Sequence, residues 1–215
     1  QFINQHHGLA IKDYASLHQW SITYSDLFWQ SISEFFKIGF HDMPTCILNS
    51  HQHMIDAEWF QGASLNYAEQ IFYQAPNKTA IVEISEDGLR QEYSYHDLKQ
   101  KVLSFATGLQ ALGVQKNDRV AAFMPNQAET IIAFLATTTI GAIWSSCSPD
   151  FGLMATVDRL GQINPKVLIM SAGHKYGGKP FLTMDRIDAF KGNMPSLKTI
   201  ILHSNGMDIT KVVNK

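Results

Sequence analysis

The chain has only two cysteines, Cys46 and Cys147, far apart and with no Cys-x-x-Cys pair. That scarcity argues against a disulfide framework and a structural zinc site, and it fits a reducing compartment, with the cytoplasm as the expected location. No apolar run approaches the ~20 residues of a membrane span, and the opening stretch QFINQHHGLAIKDYASLHQW has neither the charged start nor the apolar core of a secretion signal. Lysine and arginine number 17 against 19 aspartate and glutamate, with no basic cluster, so the footprint of a nucleic-acid binder is absent. A Gly-x-Ser-x-Gly elbow, internal repeats and low-complexity segments are absent too. What is there is 45% hydrophobic content over 215 residues, enough to bury a real core, as one larger domain or a domain with an appendage. A start at Gln1 rather than Met suggests trimming, so the ends are not expected to be the natural ends.

The organising stretch is Gly141 to Gly152, GAIWSSCSPDFG. Ala142, Ile143 and Trp144 favour a buried strand, the small residues Ser145, Ser146, Cys147 and Ser148 would let a ligand approach the backbone, and Pro149 ends the ladder. Loops after parallel strands are where open α/β sheets bind ligands, although an ordinary strand end and tight turn would read the same way.

Along the chain, Asp13 caps a helix through Trp20, and Ser25 or Asp26 caps another that carries Phe28, Trp29, Ile32, Phe35 and Phe36 on one side. From Gly39 to Gly62 no period is sustained, which predicts an irregular wrap anchored by Trp59 and Phe60. Asn66 and Glu69 resemble a capping box for a helix to about Gln74, stopped by Pro76. Thr79–Ile84 and Arg90–Tyr93 flank Glu86-Asp87-Gly88, a hairpin signal. Ser94 with Asp97 then caps a helix whose Leu98, Val102, Phe105 and Leu109 recur at spacings of three and four until Gly113, and these four are expected on its buried face. Strands at Arg119–Phe123, in the organising stretch, at Lys166–Met170 and at Thr199–Leu202 alternate with helices from Asn126 to about Ile140, Leu153 to Asn164 and Thr183 to Lys191. The expected fold is α/β: a helical and irregular segment over 1–76, followed over 77–215 by a mostly parallel sheet with helices on both faces.

Two patterns imitate chemistry. Gly173-His174-Lys175-Tyr176-Gly177-Gly178-Lys179-Pro180 follows a strand and fits G-x-x-x-x-G-K, but Pro180 stands where Ser or Thr would hold magnesium, and it delays the helix whose N–H groups would face phosphates. A flexible basic loop fits better, with Lys175 and Lys179 available to a phosphate as point charges. His51, His53, Asp56 and Glu58 with Cys46 nearby could be read as a metal cluster, but His-x-His puts both rings on one side only in a strand, and the polar residues suit a solvated loop. Cys147 has no neighbouring base in sequence to make it a nucleophile.

The pieces Trp20-Ser21 with Phe28-Trp29, Trp59-Phe60-Gln61-Gly62-Ala63 leading to Leu65-Asn66-Tyr67-Ala68-Glu69, Asp118-Arg119-Val120 with Met124-Pro125-Asn126, WSSCSPDFG, and Asp158-Arg159 before Ile163-Asn164-Pro165-Lys166-Val167-Leu168 resemble the adenylate-forming acyl-CoA synthetases over nearly the whole chain. WSSCSPDFG narrows the resemblance to members that act on acetoacetate. It implies an AMP-forming ligase that uses ATP and Mg2+ to adenylate acetoacetate and passes the acyl group to coenzyme A. It implies no catalytic residue here: the Ser/Thr/Gly-rich ATP loop, the Tyr-Gly-x-Thr-Glu segment, the hinge aspartate and the late lysine of the family are not found, so the sequence is expected to be an N-terminal portion whose partner is the remainder of its own chain. The family's alignment implies that Ser148, Pro149 and Asp150, with Tyr176 and Lys179, lie where relatives touch the adenine and 3′-phosphate of coenzyme A. Relatives carry two arginines where this sequence has Tyr176 and Lys179, so one charge is kept. A ligase for acetate or another short acid, and a stand-alone nucleotide- or CoA-binding module, are the alternatives.

Overall fold

The computed structural model describes residues 1–49 and 53–210. The chain divides into two compact units, Gln1–Asn66 and Tyr67–Lys215.

In the first unit, α1 (Phe2–His7), α2 (Tyr14–Thr23) and α3 (Ser25–Phe35) precede an antiparallel pair, β1 (Cys46–Asn49) and β2 (Glu58–Gln61). Asp13 caps α2 as expected: its carboxylate accepts from Ser16 N at 2.8 Å, and the Ser16 hydroxyl accepts from Asp13 N at 3.4 Å. At α3 the expectation fails, because α2 runs on to Thr23 and leaves no room for a capping Ser or Asp. The N-cap is Tyr24, without a side-chain cap, and the Ser25 hydroxyl donates backwards to Ile22 O. Trp20 is buried, with His7, Tyr24 and Phe28 around it. The segment expected to be irregular holds β1 and β2, each of four residues and too short to show a period. Trp59 meets Trp29 edge-on with centroids 6.1 Å apart, and Phe60 lies against Phe40.

The second unit runs α4 (Tyr67–Ile71), β3 (Thr79–Ile84), β4 (Arg90–Ser94), α5 (Tyr95–Ala111), β5 (Arg119–Phe123), α6 (Ala128–Thr139), β6 (Ile143–Cys147), α7 (Leu153–Gly161), β7 (Val167–Ser171), β8 (Gly173–Tyr176), β9 (Lys179–Leu182), α8 (Ile187–Asn193) and β10 (Thr199–His203). Four strands form a parallel sheet in the order β10-β7-β5-β6. Period-two alternation sorts its side chains. Val120, Ala122, Val167 and Ile169 face a core shared with α4, α5 and α6, whereas Ala121, Phe123, Leu168 and Met170 face one shared with α7 and α8. Both faces are thus covered by helices, as the alternating pattern predicts. Among the described residues no helix is long and apolar enough to cross a membrane.

Local signals explain most boundaries. The β3–β4 loop turns on Gly88, at φ +78°, with Gly88 N donating to Ser85 O and Ser85 N to Leu89 O. Ser94 and Asp97 form the capping box of α5. The helix ends in a Schellman motif on Gly113, at φ +82°, with Gly113 N to Gln110 O at 2.8 Å and Val114 N to Leu109 O at 3.0 Å. The buried face of α5 is corrected by one residue. Leu98, Val102 and Leu109 are buried, but Ala106 completes the stripe and Phe105 is only half-buried at its margin. The helix beginning at Tyr67 stops at Ile71 rather than Gln74, and α7 stops at Gly161 rather than Asn164, which has φ +49°.

Two further corrections bear on the site. β6 is not an apolar run that breaks at Ser145: it pairs with β5 through Ala121↔Ser145, Ala122↔Ser146 and Phe123↔Cys147, and Ile143 is 48% exposed. The basic loop is not a loop. Gly177 and Gly178, at φ +58° and +73°, make a two-residue turn that joins β8 to β9 as an antiparallel hairpin, with Tyr176 paired to Lys179.

Candidate functional site

The chain leaves β5 for α6 on one face of the sheet and leaves β7 towards α8 on the other, so the connections diverge between two neighbouring strands. Such a divergence opens a crevice at the carboxyl ends of the strands, the usual ligand position in open α/β sheets. Four segments border it: Met124–Gln127 after β5, Ser148–Gly152 after β6, the β8–β9 hairpin after β7, and Ser204–Gly206 after β10.

After β6, the Ser148 hydroxyl donates to Asp150 Oδ2 at 2.7 Å and accepts from Asp150 N at 3.4 Å, a local staple that occupies the group. Pro149 is buried and Asp150 exposed. Cys147 is buried, and burial pushes its thiol pKa up, which leaves it protonated at neutral pH and without the activation a nucleophile needs.

The hairpin carries the rest. Directly paired residues of an antiparallel ladder share a face and neighbours along each strand alternate, so His174, Tyr176, Lys179 and Phe181 stand on one side and Lys175 and Pro180 on the other. Gly173 starts β8 because nothing larger fits: a Cβ there would lie 2.6 Å from Phe181 O. On the first side a cavity of about 280 Å3 is lined by Pro149, Asp150, Tyr176, His174, Phe181 and Arg186, among others. The rings of His174 and Phe181 stack at 5.7 Å, and His174 Nε2 is 3.9 Å from Asp150 Oδ1. On the other side a cavity of about 590 Å3 lies between Lys175 and Pro180, the tip of the β3–β4 hairpin, Pro125–Gln127 and Asn205–Met207.

Of the five residues singled out from sequence, the structure brings Pro149, Asp150 and Tyr176 to the smaller cavity. Ser148 is turned to its local staple. Lys179 does not line the cavity, but stands on the same hairpin face one step nearer the turn, exposed and without an ion pair among the described residues. Lys175, read as available to a phosphate, is instead paired with Asp87 at 2.7 Å, which raises its pKa. The turn's own anion-binding N–H groups are taken as well: Gly177 N and Gly178 N donate to the Glu86 carboxylate at 3.1 and 3.3 Å. Sequence reasoning missed His174, Phe181 and Arg186. The Gly-Gly dipeptide between short strand-like runs could have found the first two, since it predicts a hairpin and its facing side chains; Arg186 carries no such signal. Among the described residues no group of three or more His, Cys, Asp or Glu is placed to hold a metal ion, and His51 of the sequence pattern lies outside them.

A sequence model described as AMP-binding enzyme matches residues 68–214, and one described as acetyl-coenzyme A synthetase N-terminus matches residues 14–71. The acetoacetyl-CoA synthetase of Macaca fascicularis is 33% identical over 216 residues, covering 96% of this chain and 32% of the relative. That of Rhizobium meliloti (strain 1021) is 38% identical over 172 residues, 80% of this chain and 26% of the relative. The solved acetoacetyl-CoA synthetase from Streptomyces lividans superposes with a TM-score of 0.87 at 36% identity, over 92% of this chain and 31% of that one. The chain thus spans about a third of the length of the curated relatives it matches. The family match over most of the sequence and the shared α/β fold give one conclusion: the chain belongs to the AMP-binding enzyme family.

Proposed function

We propose that this sequence is the N-terminal portion of an AMP-forming ligase that joins acetoacetate to coenzyme A. The observation that carries the reading is the likeness to the Streptomyces acetoacetyl-CoA synthetase along 92% of the chain at 36% identity. The chemistry answers a simple difficulty, that a carboxylate is a poor electrophile. In the whole protein the acetoacetate carboxylate attacks the α-phosphorus of ATP, pyrophosphate leaves, and the thiolate of coenzyme A then attacks the acyl carbonyl with AMP as the leaving group. Mg2+, when bound to the whole protein, would supply positive charge against the phosphates.

The part of this chain in that scheme is binding. No residue here is assigned to ATP or Mg2+, since the one phosphate-loop-like run is a hairpin whose turn N–H groups already hold Glu86. The smaller cavity fits the nucleotide end of coenzyme A better. It offers aromatic surface at Tyr176 and Phe181 for a base, with Pro149 and Asp150 beside them and Lys179 at its margin for a phosphate. The measurement is acid-dependent exchange of pyrophosphate into ATP. The whole protein should exchange with acetoacetate and prefer it to acetate in kcat/KM, and the 215-residue chain alone should not exchange. Equal kcat/KM for the two acids would remove the acetoacetate assignment, and robust exchange by the isolated chain would place the catalytic groups here after all.

A further inference from the structure

We propose that Asn205-Gly206, in the turn after β10, is a site of spontaneous modification, where the asparagine amide is lost and an isoaspartyl linkage forms in the backbone, and that this conversion releases the start of the β8–β9 hairpin. The chemistry asks three things of a chain: a carboxamide that can leave, a following amide N–H that is not tied up, and no side chain on that following residue to block its approach. Asn205-Gly206 is the only Asn-Gly pair in the sequence; every other asparagine is followed by a residue with a side chain. The turn leaves the nucleophile open. Met207 N donates to Ser204 O at 2.9 Å, with Asn205 at φ +49° and Gly206 at φ +76°, the left-handed pair that Asn-Gly adopts most easily. Gly206 is exposed, and its N–H makes no hydrogen bond among the described residues. The Asp-Gly pair, Asp87-Gly88, is a contrast. There Gly88 N is held by Ser85 O at 2.9 Å, and the Asp87 carboxylate, paired with the Lys175 ammonium at 2.7 Å, is ionised and a poor electrophile.

The steps balance with water as the co-reactant. Gly206 N gives its proton to solvent base and attacks Asn205 Cγ; the Cγ–Nδ2 bond breaks, Nδ2 takes up a proton and leaves as ammonia, and a succinimide ring is closed. Water then adds at one of the two imide carbonyls. Opening at Cγ restores the ordinary backbone with aspartate at 205, and opening at the main-chain carbonyl leaves the backbone running through Cγ, one methylene longer, with the α-carboxylate free. Nothing is oxidised or reduced.

The side chain that reacts is also a structural tie. Asn205 Nδ2 donates to Gly173 O at 2.8 Å and so fastens the turn to the first residue of β8. Gly173 is hemmed in by the same turn, since a Cβ on it would lie 3.2 Å from Met207 Cγ. The product sets a carboxylate, which donates nothing, against a carbonyl oxygen, and the longer backbone displaces Met207. Both changes loosen the point from which the hairpin springs, beside the larger cavity that Asn205, Gly206 and Met207 line with Lys175 and Pro180. The same tie slows the reaction, because the amide must swing off Gly173 O before Gly206 N can reach Cγ. A half-exposed turn opens at small cost, so the tie delays conversion without preventing it.

The test is peptide mapping by mass spectrometry of the 215-residue chain, aged folded and in urea in mildly alkaline buffer, with an isoaspartyl carboxyl methyltransferase and labelled S-adenosylmethionine to report β-linkages. The folded chain should convert at Asn205 first, with Asp87 and the other asparagines at least about tenfold slower, the factor that 1.4 kcal/mol of barrier makes. Urea should speed the conversion. Asn205→Gln, whose longer amide would have to close a larger ring, should remove the label at this position. The aged form, separated by its added charge, should exchange amides of β8 and β9 several-fold faster while Leu168 to Met170 keep the protection of the fresh chain. This last comparison needs no variant, so it stands even if the glutamine chain folds poorly. No conversion at Asn205 in the folded chain, or earlier conversion elsewhere, overturns the site; conversion with unchanged exchange in the hairpin overturns its release.

Discussion

Lys175 donates to Asp87 at 2.7 Å, which ties together the tips of two hairpins that lie 88 residues apart in sequence. Next to it, Glu86 accepts from Gly177 N and Gly178 N, so the β3–β4 tip holds the β8–β9 turn by three donors. All the groups are exposed, and salt screens exposed pairs, so the clasp fixes local position and contributes little to global stability. The double variant Glu86→Gln with Asp87→Asn should speed amide exchange at Gly177 and Gly178 while Leu168 to Met170, in the sheet, keep wild-type protection. Unchanged exchange at the turn would show that the clasp does not hold it.

The core prediction separates neighbours on one helix. Leu98, Val102 and Leu109 of α5 are buried, whereas Phe105 lies at the margin of the same cluster. Leu109→Ala should cost about 2–5 kcal/mol in chemical denaturation, as cavity-forming changes do. Phe105→Ala should cost less than Leu109→Ala despite removing the larger side chain, because part of that ring faces solvent. The reverse order would place the buried face of α5 elsewhere.

A third prediction concerns the amino-terminal end of the two inner strands. Lys166 Nζ bridges the Asp118 carboxylate and Gly113 O, both at 2.6 Å, and so joins the starts of β5 and β7 to the end of α5. The bond from Lys166, and then that from Gln115 N, hold the Asp118 carboxyl below its ordinary pKa. A carboxyl with a depressed folded pKa contributes stability that is present above its unfolded pKa and is lost as pH falls through the folded one. Wild type should therefore lose stability from this source as pH falls below roughly 4, and Asp118→Asn should be destabilised at neutral pH yet flatter in that acid window. Parallel pH profiles for the two proteins would deny the carboxylate this role.

Much of this was legible in the residues, for local reasons. The α5 boundaries follow from Ser94, Asp97 and Gly113, whose side chains or backbone make the cap contacts themselves, and the β3–β4 turn follows from Gly88. The parallel sheet follows from apolar runs such as Val167–Met170, buried on both faces. Misreadings occurred where partners distant in sequence decide. Ser145 and Ser146 are in a strand because β5 pairs with them, and their own propensity pointed to a loop. Pro180 disguised β9, although proline is tolerated on a strand of a two-stranded hairpin. Lys175 looked free because Asp87 is remote in sequence, and Arg186 looked ordinary because nothing local marks a cavity wall. Charge at a site depends on who else is there, which spacing along one chain does not reveal.

Lys179 is the last case, and the register sharpens it. It pairs with Tyr176 across the turn and shares the face of Phe181, so its ammonium stands at the margin of the smaller cavity rather than inside it. An exposed cation at a rim contributes through a screened field, whereas a fork inside the lining makes directed bonds. Lys179→Ala should therefore weaken coenzyme A by only about two- to five-fold at low ionic strength, and the difference from wild type should shrink as salt is raised towards 0.5 M, where the Debye length falls to roughly 4 Å. Dephospho-coenzyme A should bind the variant and wild type alike. A salt-independent loss would mean a direct bond from Lys179 rather than a screened field; equal loss with both ligands would mean that the substitution disturbs the hairpin itself.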